Sequence, residues 1–158
     1  MSAQTQIAPV AENPLALEQQ VCFALSVAAR NVVAVYRPLL EPMGVTHPKY
    51  LVMLALWQYE PVSGRELCRL QRLDPGTLSP LLKRLESAGL LKRERDPRDE
   101  RALAVTLTDK GRALRAQAEQ IPRRSSDGSV WTCPSCWTCT RGSPRVIGVA
   151  QSALDEEG

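Results

Sequence analysis

With 158 residues, an aromatic share of 4% and a formal net charge of +3, the chain is long enough for one domain with a real core, favours helix packing over a β-sandwich, and is only mildly basic. So small a net charge does not argue for nucleic acid by itself; geometry has to carry that claim. The start MSAQTQIAPVAENPL lacks a cationic segment leading into an apolar run, and no stretch of 18 apolar residues occurs, so a cytoplasmic protein with no membrane partner is expected.

Residues 1–14 are small and polar with Pro9 and Pro14, and read as a flexible N-terminal arm. From Leu15 to Tyr36 a helical pattern places Leu17, Val21, Leu25, Ala28, Val32 and Tyr36 along one side, while Phe23, Val27 and Val35 add apolar surface on a second. That is more apolar area than one layer of a small domain covers. A fully buried core helix would account for it; a dimerisation helix accounts for it better, because exposed apolar area of this kind marks an interface. Arg37, Pro38 and the Glu41-Pro42 pair are expected to end the helix, and Gly44 to open a new segment. Thr46 is placed to cap the next helix, with His47 and Pro48 in its first turn. Tyr50, Leu51, Met53, Leu54, Leu56 and Trp57 make that helix apolar almost all round, so neighbours are expected to cover it.

Ser63 and Glu66 have the spacing of a capping box and open a short helix whose Leu67 and Leu70 face inward; Cys68, on the same helix, is assigned no role beyond structure. The following helix is the clearest element of the chain. Asp74 is placed to cap it, Pro75 suits its first position, and Gly89 can take the left-handed conformation that ends it. Leu78, Leu81, Leu82 and Leu85 recur at i, i+3, i+4 and i+7 and form one inward stripe. Gly76, Thr77, Ser79, Lys83 and Arg84 are left outward, offering hydroxyls and cations to a groove. Two β-capable runs follow, Leu90 to Arg95 and Ala102 to Leu107, flanking the charged loop DPRDER. The loop reads either as a solvated hairpin tip or as a wing reaching phosphates or a minor groove; in the second case Arg98 is the DNA contact and Asp99 pairs with Arg101 to brace the loop. Thr108 caps a last helix running to about Gln120. This order is a winged helix-turn-helix over residues 15–122, mainly α with a small two-stranded β wing. No nucleophile with a nearby base, glycine-rich phosphate loop or paired carboxylates occurs, so no catalytic residue, enzyme activity or cofactor is assigned.

Several segments resemble the MarR family of dimeric winged-helix transcription regulators, and within it the organic-hydroperoxide-sensing, OhrR-like branch. They are CFAL from Cys22, YRPLLEPMGVTHPKYLVMLALW from Tyr36, DPGTLSPLLKRLESAGL from Asp74 and DERALAVTLTDKGRAL from Asp99. The resemblance implies a homodimer built from N- and C-terminal helices that represses by binding double-stranded operator DNA. It also implies release when an organic hydroperoxide oxidises the sensing cysteine, after which a small thiol can cap the oxidised sulfur. By position Cys22 matches that cysteine, and Tyr36 a tyrosine whose hydroxyl holds its thiolate. Ser26 and His47 stand where the branch commonly has further tyrosines; His47 could substitute as a donor or cation, or be a helix-start residue with no role. Fourteen residues separate Cys22 from Tyr36, which puts them on nearly one helical face but about 21 Å apart along the axis, so they can meet only across a dimer. The runner-up reading is a MarR-like repressor responding to a small aromatic ligand.

From Arg123 the composition changes. Residues 123–158 hold Cys133, Cys136 and Cys139 in C-x-x-C-x-x-C spacing and two of the three tryptophans, without a helical stripe where the family has its C-terminal dimerisation helix. The triad suggests a metal-binding redox protein as an alternative from another class, but it lacks a nearby fourth ligand, and no metal site is assigned. Two compensating reading-frame changes over roughly Ser125 to Pro144 would account for the lost stripe. Five cysteines, an odd number at uneven spacing, argue against a secreted disulfide framework.

Overall fold

The computed structural model describes residues 15–96 and 99–121, with the side chains of Glu18 and residues 96–102 outside the description. In chain order the elements are a 3-10 turn (Leu17–Gln19), α1 (Val21–Leu40), a 3-10 turn (Glu41–Met43), α2 (His47–Tyr59), β1 (Val62–Ser63), α3 (Gly64–Gln71), α4 (Pro75–Ser87), β2 (Leu91–Asp96), β3 (Asp99–Leu107) and α5 (Asp109–Ala118). Two compact units divide between Leu51 and Val52, inside α2.

The first unit is built on α1. This helix begins at Val21 rather than Leu15, and it runs past the expected stop at Arg37-Pro38 to Leu40. Pro38 lies in the last turn, where its missing N–H removes only one ladder bond and its ring disturbs little of the helix that follows. Reversal waits for Gly44, whose φ of 67° only glycine adopts at little cost; its N–H reaches the Glu41 carbonyl at 3.0 Å. Leu40 is the one buried residue of α1. Val21 and Leu25 are 70% and 49% exposed, and Phe23, Val27, Val32 and Tyr36 are half-buried. The alternative of a fully buried core helix is therefore excluded for the single chain.

The second unit packs its core from Val52, Met53 and Leu56 of α2, Leu67 of α3, Leu78, Leu82 and Leu85 of α4, and Leu91, Val105 and Leu107 of the sheet, each at most 5% exposed. Leu81, the remaining member of the α4 stripe, is half-buried. The expectation that α2 is covered all round fails at Leu51 and Leu54, which stay exposed. Ser63 caps α3 by accepting the Glu66 N–H at 3.1 Å; the Glu66 carboxylate turns to Arg69. The turn from α3 into α4 is closed by two backbone bonds, Leu73 N–H to Cys68 carbonyl at 3.0 Å and Arg72 N–H to Arg69 carbonyl at 3.3 Å, with Arg72 at φ 50° where glycine is usual. Helix α4 ends in the same pattern with a glycine: Leu90 N–H to Leu85 carbonyl and Gly89 N–H to Glu86 carbonyl, at 3.0 and 2.9 Å.

The sheet adds a third strand to the expected two-stranded wing, all antiparallel in the order β1-β3-β2. The wing is the β2–β3 hairpin, in register from Leu91 with Leu107 to Arg95 with Leu103; the register then shifts, and Asp96 pairs with Asp99. The added strand β1 pairs Val62 with Val105 and Ser63 with Ala104. Two residues are too few to alternate, so this strand is defined by its partner and not by a pattern of its own. Thr108 caps α5, accepting from the Gly111 N–H at 3.1 Å, and its hydroxyl donates to the Gly89 carbonyl at 2.6 Å, which ties the start of α5 to the end of α4.

Candidate functional site

The outward face of α4 starts at its cap. The Asp74 carboxylate accepts from the Thr77 N–H at 2.9 Å and from the Thr77 hydroxyl at 2.5 Å, and the hydroxyl, followed by the backbone N–H, holds the Asp74 carboxyl below the usual carboxylate range. Glycine at position 76 relieves this cap, because a Cβ there would stand 2.9 Å from the Asp74 Oδ1. Thr77 therefore presents acceptor lone pairs to a groove, its proton being committed to Asp74. Ser79 is exposed and its hydroxyl makes no hydrogen bond among the described residues. All five predicted positions on this helix, Gly76, Thr77, Ser79, Lys83 and Arg84, are exposed together.

The ion pairs sort the cations. Among the described residues, carboxylates engage Arg69 through Glu66, Lys92 through Glu94, Arg93 through Glu86, Arg112 through Glu60 and Asp109, and Arg115 through Glu119. Lys83 and Arg84 have no such pair there, so their charge is uncommitted. Arg98 lies outside the described residues, as do the side chains of Asp99 and Arg101. What the structure does place is a brace at the base of the wing. Arg93 of β2 donates through Nε to Glu86 of α4 at 3.0 Å, and its guanidinium holds the Glu86 carboxyl below the usual carboxylate range. This pair joins a helix to a strand, so no helical or strand periodicity in the sequence signals it.

Helix α1 carries Cys22 and Tyr36 on one continuous element, with Cys22 exposed. Fourteen residues at 1.5 Å each put them about 21 Å apart along the axis, out of reach of one another within one chain. Tyr36 instead meets His47 edge-on, ring centroids 5.4 Å apart at 69°, and Tyr50 at 5.9 Å and 39°. Burial pushes the Tyr36 phenol up, and pushes the Tyr50 phenol up with a smaller contribution from Tyr36. Burial lowers the His47 pKa, disfavouring the charged imidazolium. Of the two roles expected for His47, donor or cation, burial beside the Tyr36 ring disfavours the charged one. Cys68 is half-buried. Cys133, Cys136 and Cys139 lie outside the described residues, and among those described no cluster of three metal-ligating side chains occurs.

A helix-turn-helix with an outward face of hydroxyls and uncommitted cations, braced to a β-hairpin, defines a winged-helix DNA-binding regulator. The chain belongs to the family of SarA/Rot transcriptional regulators, which are MarR-like winged-helix proteins, and the family model matches residues 34–117. TtmR, an HTH-type transcriptional regulator of Methylorubrum extorquens, is 45% identical over 111 residues; the match covers 70% of this chain and 57% of TtmR. The organic hydroperoxide resistance transcriptional regulator of Bacillus subtilis is 41% identical over 106 residues, 67% of this chain and 72% of that protein, in support of the OhrR-like branch. The crystal structure of AbfR of Staphylococcus epidermidis matches with a TM-score of 0.69 at 30% identity over 90% of this chain and 99% of AbfR. Overoxidised AbfR bound to DNA matches with a TM-score of 0.68 at 31% identity over 90% and 95%.

Proposed function

We propose that this regulator is a homodimeric repressor that binds operator DNA through α4 and the wing and releases it when an organic hydroperoxide oxidises Cys22. The observation that carries the reading is the placement of Cys22: a sulfur exposed on a helix whose apolar face is itself exposed, next to the likeness to a hydroperoxide resistance regulator and to AbfR, solved in reduced and overoxidised form on DNA. Val21–Met43 is long and apolar enough to cross a bilayer by length and composition alone. A DNA-binding chain has a different use for that surface, a second copy of itself, and works where the DNA is, in the cytoplasm. An antiparallel α1 from the partner would bring Tyr36 to Cys22, so sensing and dimerisation depend on one contact.

The chemistry balances without a cofactor. The Cys22 thiolate attacks the outer peroxide oxygen, the S–O bond forms as the O–O bond breaks, and the alkoxide leaves as the alcohol after taking a proton. Sulfur loses two electrons and becomes a sulfenic acid; a small thiol then condenses with it to a mixed disulfide and water. Either adduct displaces the Tyr36 contact and biases the dimer away from the DNA-bound spacing. Cys22→Ser tests this: the variant should bind operator as the native chain does and keep it in the presence of hydroperoxide, and equal release of both proteins would refute the sensor.

A second reading has its own observation, the ring cluster of Tyr36, His47 and Tyr50, which suits a small aromatic effector. Release of DNA by a phenolic acid, unchanged by Cys22→Ser, would favour it.

A further inference from the structure

We propose that Arg65 of α3 is a contact to the DNA backbone phosphates, a role that the nearby Arg69 and Arg72 do not share. The inference rests on the DNA-binding reading of α4. Arg65 and Arg69, at i and i+4, are exposed on one side of α3, and Arg72 is exposed just past its end. Their environments differ. The guanidinium of Arg69 is held by Glu66 through two hydrogen bonds, Nε to Oε2 at 3.0 Å and Nη2 to Oε1 at 2.5 Å, so its charge is already neutralised locally. Arg72 is the left-handed residue of the turn, outside the helix. Arg65 has no carboxylate within salt-bridge distance among the described residues.

Position selects it as well. Arg65 lines a groove of about 320 Å³ between α3 and α4, whose opposite wall carries Pro75, Leu78 and Ser79. Ser79 is one of the α4 residues read as facing the DNA, and it lines the same groove as Arg65, so a duplex held against Ser79 comes close to Arg65. Residue 64 has no side chain, and nothing lies within 4 Å of where its Cβ would be, so a phosphate can approach this end of α3 closely. A phosphate contact made here adds affinity without sequence preference and fixes how far α4 enters the major groove.

The test is the salt dependence of binding to a random-sequence duplex, which needs no knowledge of the operator. Each lost phosphate contact lowers the slope of log K against log salt by about 0.9. Arg65→Ala should lower it by about that much for each chain on the duplex, Arg65→Lys should retain it, and Arg69→Ala should leave it unchanged, with all three variants folded by circular dichroism. An unchanged slope in Arg65→Ala, or an equal drop in Arg69→Ala, would overturn the assignment while leaving the regulator intact. Native protein that bound no duplex at any salt would overturn both.

Discussion

A Cβ built on Gly111 would stand 2.0 Å from the carbonyl oxygen of Leu90 and 3.0 Å from its carbonyl carbon. The first turn of α5 thus lies directly on the backbone that follows α4, and the Trp57 Nε1–H donates to the Gly111 carbonyl at 2.9 Å.

Gly111→Ala should therefore destabilise the winged-helix unit although alanine is the better helix former. The helix-propensity gain is about 1 kcal/mol, whereas a methyl inside backbone contact forces α5 away and costs about 1–3 kcal/mol or more in overpacking and broken caps. Urea denaturation should show a lower midpoint; a higher one would mean that α5 does not sit on Leu90 as described.

Arg72 offers the opposite case. Its φ of 50° costs a non-glycine residue roughly 1–2 kcal/mol, and glycine recovers that less its own larger unfolded-state entropy. Arg72→Gly should raise stability by about 0.5 kcal/mol, while Arg72→Val, β-branched, should lower it by more than about 1 kcal/mol. If the two variants denatured alike, the turn would not be left-handed.

His47 makes stability depend on pH in a stated direction. Its folded-state pKa is lowered by burial from the ordinary 6.5, so in that range the unfolded chain binds more protons than the folded one. Its contribution is intact above the ordinary value, declines as pH falls through it, and is fully lost below the folded pKa. Urea midpoints at about pH 7.5 and about pH 5.5 should differ more for the native chain than for His47→Gln. A difference equal in both proteins would remove His47 as the cause.

Tyr36 carries the prediction that joins sensing to dimerisation. Tyr36→Phe keeps the ring against His47 and Tyr50 and removes only the hydroxyl, so reduced protein should still bind operator, while its release by hydroperoxide should slow on the order of tenfold if that hydroxyl holds the Cys22 thiolate. Unaltered release kinetics would separate Tyr36 from the sensor.

Much of this protein is legible from local signals. Asp74, Pro75 and Gly89 bound α4, the leucines between them set its buried face, and Thr108 starts α5, because caps and helical stripes act over three or four residues. The outward set Gly76, Thr77, Ser79, Lys83 and Arg84 follows from the same periodicity. Other features depend on partners distant in the chain and were decided only by the tertiary structure. Strand β1 exists because β3 lies beside it. The persistence of α1 past Pro38 was set by Gly44, not by the proline. Arg93 braces the wing because Glu86 faces it across two elements, and the charged form of His47 is disfavoured because folding half-buries it beside Tyr36. Among cations that look alike in the sequence, the structure separated those already neutralised from Arg65, Lys83 and Arg84, since charge is cancelled by neighbours in space and not by neighbours in the chain.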